Sequence, residues 1–138
     1  MKRAFAVLTL GLAIAVASRP VLAHHSFAMF DMDKSVEYTG VITSWKWQNP
    51  HVHFDVLVKD GPPQTIGTWD VEGGSVNIMT RQGWTRASYK PGEPVKLVGH
   101  PMKDGSKGIS LFYAIKPDGT RLYHDIARPA DDTKGASR

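Results

Sequence analysis

The stretch VEYTGVITSWKW, residues 36–47, decides the fold of this chain. It is rich in β-branched and aromatic residues, which favour a strand over a helix. Gly40 near its middle permits the strand to bend. A first strand that is long and bent can pair with different neighbours along its two halves, and this is the behaviour expected of a small closed barrel.

The residues that follow supply the partners of this strand. From Val52 to Val58 the sequence alternates, so Val52, Phe54, Val56 and Val58 are predicted to share the inner face. Further strands are predicted at 65–71, 95–99 and 109–115, with a short edge strand at 121–123.

One short helix is predicted between the third and fourth strands, with Ser75 as its N-cap and Gly83 as its terminator. Five short strands with a helix in that position predict a mostly β domain, a single OB-like five-stranded barrel. A small β-sandwich is the alternative.

The N-terminus has the pattern of an export signal. Lys2 and Arg3 precede an apolar run at 4–17, residues 18–20 break a helix, and small residues lead up to Ala23. The run is too short to span a bilayer, and no later stretch approaches the roughly 18 apolar residues that a span needs. We therefore predict a signal peptide at 1–23, no membrane span, and a mature protein in the periplasm or outside the cell.

Cleavage after Ala23 would change the balance of charged residues in the protein. Removing 23 of 138 residues takes Lys2, Arg3 and Arg19 from the 17 basic residues and leaves 14 against 13 acidic ones. The near-neutral mature chain lacks the basic excess typical of nucleic-acid binding. Cysteine is absent, which excludes disulfides, a thiolate nucleophile and cysteine-based zinc sites. We predict one domain at 24–126, with an extended arm at 24–35, and a disordered tail at 127–138.

Cleavage after Ala23 would make His24 the first residue, with its α-amine and ring Nδ1 both available to one ion. A second imidazole would complete a nitrogen set that suits Cu(II), which also heads the affinity order of divalent ions. His25 and the thioethers of Met29 and Met32 are further candidate ligands. The alternative is that these histidines are an incidental polar start of the chain.

A second candidate site lies on the predicted second strand. His51 and His53 are two residues apart, so both side chains should lie on its outer face, and Asp55 continues that face. Asp70 and Glu72 are expected to point outward from the neighbouring third strand. Two histidines and a carboxylate form a ligand set for zinc, copper or iron. The alternative is an ordinary solvated strand face.

Three other features have candidate roles. Trp45 and Trp47 share one face of the first strand, and at least one of them is a candidate wall of a ligand groove beside the histidines. His100 is a further candidate metal ligand, and His124, near the tail, is a weaker one. No order of serine, histidine and aspartate suggests a hydrolase, so no catalytic residue is predicted.

Several short motifs together resemble a family of small secreted bacterial proteins of unknown function. The motifs are AHHSF at 23–27, NPH at 49–51, VEGGS at 71–75, TRQGWTR at 80–86, KPGE at 90–93, GHP at 99–101 and KDGS at 103–106. The resemblance covers nearly all of the mature chain and implies an exported, OB-like single domain. It implies no activity, so it carries over no functional residue.

The sequence therefore predicts an exported, non-enzymatic binding domain, with copper or a similar metal held through His24 and either His51 or His53. One alternative is an accessory subunit that docks on an exported protein partner through the outer strand face and Trp45/Trp47. A second is a small-molecule binder or a copper redox protein. No nucleic-acid partner is predicted.

Overall fold

The computed structural model describes residues 27–124 of the chain. Its elements, in order, are β1 (Val36–Lys46), β2 (His53–Val58), β3 (Gly67–Glu72), α1 (Val76–Arg81), β4 (Pro94–Pro101), β5 (Gly108–Ile115) and β6 (Arg121–Tyr123). The predicted signal peptide, His24, His25 and the predicted tail lie outside the described residues.

The strands form a closed five-stranded barrel. Neighbouring strands pair in the order β3, β2, β1, β4, β5, and a parallel pairing of β3 with β5 closes the ring. Strand β6 extends β5 at one edge. The prediction of a mostly β, OB-like barrel with one short helix between its third and fourth strands is confirmed, and the sandwich alternative is wrong.

Strand β1 bends and joins both parts of the barrel, as its sequence predicts. Residues 36–41 pair with β4, and residues 41–46 pair with β2, with a register shift between Ile42 and Ser44. Gly40 lies where the two pairings meet, and a Cβ atom there would be 2.6 Å from the Leu57 carbonyl oxygen. Glycine is therefore required for the close approach of β1 to β2.

The barrel interior is filled from the inner faces of the strands. Val52, Phe54, Val56 and Val58 are all 0–1% exposed, so the predicted alternation along β2 is confirmed. Because His53 and Asp55 alternate with these residues, the same pattern holds their side chains on the outside.

The helix α1 is tied to the turn before β2. Ser75 Oγ accepts a hydrogen bond from Ile78 N at 3.4 Å, which confirms Ser75 as the N-cap. Val76 N donates to Asn49 Oδ1 at 3.1 Å. The helix ends before Gly83, whose φ of +88° is the left-handed conformation that glycine adopts most readily. Asn49 thereby fixes the start of α1 against the chain that enters β2.

The described part of the N-terminal arm, residues 27–35, is held against the end of β4. Phe30 forms an antiparallel bridge with Met102 and is buried. Asp31 N donates to Pro101 O at 2.8 Å, and His100 Nδ1 lies 2.7 Å from Lys34 O. These contacts fix where the chain enters the barrel, and His100 takes part in them.

Candidate metal site

Two histidines and one glutamate meet on the outer face of the β2–β3 ribbon. His53 and Glu72 face each other in the antiparallel register of the two strands. His51 lies two residues before His53, on the same face. One ligand atom from each of these three side chains lies within 4.8 Å of the other two. We call His51, His53 and Glu72 the β2–β3 triad.

The β2–β3 triad is half-buried and polar. His51 Nδ1 lies 2.7 Å from Glu72 Oε1, and the two imidazole centroids are 6.5 Å apart. The side chains of His51, His53 and Glu72 are 32%, 34% and 14% exposed. An ion could therefore reach the triad from solvent. Because Glu72 is partly shielded from water, its negative charge attracts a cation more strongly than a fully exposed carboxylate would.

Asp70 is the partner of His53. Its Oδ1 lies 3.3 Å from His53 Nδ1. The hydrogen bond to Asp70 raises the pKa of His53 above its ordinary value, and the same bond lowers the pKa of Asp70. Because the Asp70 side chain is 59% exposed, this pair contributes at most about 1 kcal/mol to folding.

Asp55 lies outside the triad, although it shares the outer face. It faces Asp70 directly across the two strands. Two like charges directly opposite each other are unfavourable in a sheet. The ribbon thus carries a local excess of negative charge beside two imidazoles, a distribution that favours a bound cation.

The triad can supply three ligands to a divalent transition metal. In a tetrahedral zinc site, nitrogen and oxygen donors lie about 2.0–2.2 Å from the ion and so about 3.3–3.5 Å from each other. The 2.7 Å contact between His51 and Glu72 would have to open by about 0.7 Å to admit the ion. Three protein ligands would leave at least one coordination position for another ligand.

The backbone continues the β2–β3 ladder past the triad. Val52 N donates to Gly74 O, and Gly73 N donates to Val52 O, both at 2.8 Å. Both bonds are made by Val52, so Gly73 and Gly74 lie opposite this one residue, which separates His51 from His53. A Cβ atom on Gly74 would lie 3.0 Å from His124 Nε2. The absence of a side chain at Gly74 therefore leaves room for the His124 ring.

Of the N-terminal candidates, the structure describes Met29 and Met32. Both are about half exposed, at 47% and 48%. Phe27, the first described residue, has its ring centroid 6.4 Å from that of His124. His24 and His25 lie outside the described residues, so their part in a metal site stays a prediction.

Trp45 and Trp47 pack into the aromatic part of the core. Trp47 is 9% exposed, and the centroid of Trp45 lies 6.0 Å from that of Trp47 and 6.1 Å from that of Trp84. Trp45 Nε1 donates to Arg86 O at 2.9 Å. Packing in the core therefore explains the positions of both indole rings.

The structure brings together two motifs that are far apart in sequence. NPH at 49–51 and VEGGS at 71–75 meet through the Asn49–Val76 bond, the His51–Glu72 contact and the Val52–Gly74 bond. Glu72, and not the predicted Asp55, is the carboxylate that completes the triad. Because side chains alternate along a strand, the sequence predicts that Asp70 and Glu72 both point outward from the third strand. Only the register of β2 against β3 identifies Glu72 as the third member of the triad.

Within residues 27–124 no helix has the length and apolar character needed to cross a membrane. A family profile matches residues 12–110, and the chain belongs to that family, DUF6152, a family of unknown function. No curated protein matches the chain.

Proposed function

We propose that this member of a family without assigned function is an exported, non-enzymatic domain that binds one divalent transition-metal ion at the β2–β3 triad. The observation that carries the proposal is the convergence of His51, His53 and Glu72, with ligand atoms within 4.8 Å of one another on one half-buried face. Export follows from the predicted signal peptide. The acidic neighbours Asp55 and Asp70 add attraction for a cation.

The donor set favours copper and zinc over harder ions. Two imidazoles and a carboxylate are typical ligands of transition metals, whereas Mg²⁺ and Ca²⁺ prefer sites built only from oxygen. Among divalent first-row ions, affinity rises to Cu²⁺ and falls again at Zn²⁺. We therefore expect Cu(II) to bind most tightly.

We further propose that the mature N-terminus completes the copper site. The support is a series of contacts: Gly74 O accepts from Val52 N, His124 Nε2 would lie 3.0 Å from a Cβ atom on Gly74, and the ring centroids of Phe27 and His124 are 6.4 Å apart. His24 precedes Phe27 by three residues, and three extended residues span about 10 Å. We therefore expect the amine and ring of His24 to reach the face that carries the triad.

A titration of the chain that begins at His24 tests the triad. We expect one Zn(II) ion per chain by calorimetry, a tighter Cu(II) complex by competition, and metal-dependent shifts of the His51 and His53 ring signals in NMR. Glu72→Gln should weaken zinc binding. Glu37→Gln is the matched control, because Glu37 carries the same charge on β1, where it pairs with Lys96 at 2.9 Å.

The proposal fails if zinc leaves the His51 and His53 signals unchanged, or if the two glutamate variants bind zinc equally. In the first case the ion binds elsewhere or not at all. In the second case Glu72 contributes no more than the charge that Glu37 also carries, so it is not a ligand.

An N-terminal extension tests the amine chelate separately. We expect a Gly-Ser-Gly-Ser extension before His24 to weaken Cu(II) binding about 100-fold, because the amine is no longer linked to the His24 ring. A one-residue extension is unsuitable, since it would put His25 third in the chain and create a new amine–amide–imidazole chelate. Zinc affinity at the triad serves as the control and should be unchanged. Equal Cu(II) affinity of the two chains would exclude the amine as a ligand.

A further inference from the structure

We infer that Asp70 is a positioning residue that holds His53 in the tautomer protonated at Nδ1, which leaves Nε2 as the nitrogen that takes a metal. The inference rests on the proposed metal-binding function. It goes beyond that function because it assigns the donor atom of His53 and gives a role to a carboxylate outside the triad.

The geometry of the pair carries the inference. Asp70 Oδ1 lies 3.3 Å from His53 Nδ1, and an ionised carboxylate can only accept a hydrogen bond. The Nδ1 atom must therefore carry the proton. In a neutral imidazole the other nitrogen then has the free lone pair. A carboxylate that orients a histidine in this way is a common second partner of metal-bound imidazoles.

The surroundings of Asp70 also favour this role. Asp55 lies directly opposite Asp70, an unfavourable arrangement for two carboxylates. Lys46 faces His53 from β1, on the side of β2 away from Asp70. Among the described residues, Asp70 forms an ion pair with His53.

The test begins with the metal-free protein. Nitrogen chemical shifts of the His53 ring, measured at a pH where the ring is neutral, report which nitrogen carries the proton. We expect the Nδ1–H form in the wild type and a shift toward the Nε2–H form in Asp70→Ala, because free imidazole side chains prefer the latter. Asp70→Asn keeps a carbonyl acceptor and should restore much of the wild-type tautomer. Asp55→Ala removes the same charge from the facing position and should leave the tautomer unchanged.

Zinc affinity is the second readout. We expect Asp70→Ala to weaken zinc binding about 10–100-fold, the usual effect of removing a partner of a metal-bound histidine. Asp70→Asn should lie between that variant and the wild type. Asp70 is mostly exposed, so all variants should fold, and circular dichroism verifies this.

The two ideas fail in different ways. An unchanged His53 tautomer in Asp70→Ala overturns the positioning role, whatever the metal affinity. Equal losses of zinc affinity in Asp70→Ala and Asp55→Ala also overturn it, since charge alone would then explain the loss. If the tautomer depends on Asp70 but no chain binds zinc or copper, the proposed function is wrong while the control of the ring by Asp70 stands.

Discussion

Replacing both His51 and His53 with alanine is expected to weaken transition-metal binding by more than about 100-fold, which exceeds the usual effect of losing a residue that only supports a ligand. The two rings supply the nitrogen donors of the proposed site, and Glu72 alone offers an oxygen donor that binds transition metals weakly. Calorimetry with Zn(II) and competition with Cu(II) measure the effect on chains that begin at His24.

His100→Ala is the matched control for the double variant. His100 is an imidazole on β4 whose Nδ1 contacts Lys34 O, so its loss removes a possible adventitious ligand without changing the triad. We expect it to retain wild-type affinity. Retention of tight zinc binding by the double variant would contradict the proposed function. Tight copper binding with loss of zinc binding would place the copper on the N-terminal chelate alone.

Replacing Trp84 with alanine is expected to lower the free energy of unfolding by about 3–5 kcal/mol. Trp84 is 0% exposed, and its Nε1 donates to Tyr123 O at 2.7 Å. The substitution leaves a large cavity and removes the hydrogen bond from Trp84 Nε1 to Tyr123 O. Because small domains are stable by only about 5–15 kcal/mol, much of the chain should unfold well below the wild-type midpoint.

Urea denaturation followed by circular dichroism measures this loss. Ile66→Ala is the control, because Ile66 is 44% exposed and its truncation leaves no buried cavity. We expect the control to change stability by less than about 0.5 kcal/mol. A Trp84→Ala variant as stable as the control would mean that the aromatic cluster around Trp45 and Tyr89 can close the cavity.

The face that carries the proposed site follows from a short-range pattern. Side chains alternate along a strand, so Val52 and Phe54 point inward and His51 and His53 point outward wherever this strand pairs. The turn that starts α1 is equally local, because the Ser75 hydroxyl caps its own helix. The same local physics places Gly40 at the bend of β1. These parts of the fold could be predicted from residues within a few positions of one another.

The membership of the triad could not be predicted in this way. Asp55, Asp70 and Glu72 all occupy strand positions whose side chains point to the outer face. Alternation along a strand does not specify which of the three lies beside the imidazoles. Register is a long-range property, fixed when the hydrophobic faces of two strands pack against one core. In the folded barrel that register places Glu72 opposite His53 and Asp55 opposite Asp70.

Trp45 and Trp47 illustrate the same limit. An amphipathic aromatic residue on a strand can line a groove or fill a core, and its neighbours in sequence suit either role. Trp45 packs against Phe54 and Trp84, which come from other parts of the chain, and Trp47 stacks on Trp45. The sequence by itself therefore determined the strands, the helix cap and the outward direction of the histidines. Only the tertiary structure decided the register and the packing, because both depend on contacts between residues distant along the chain.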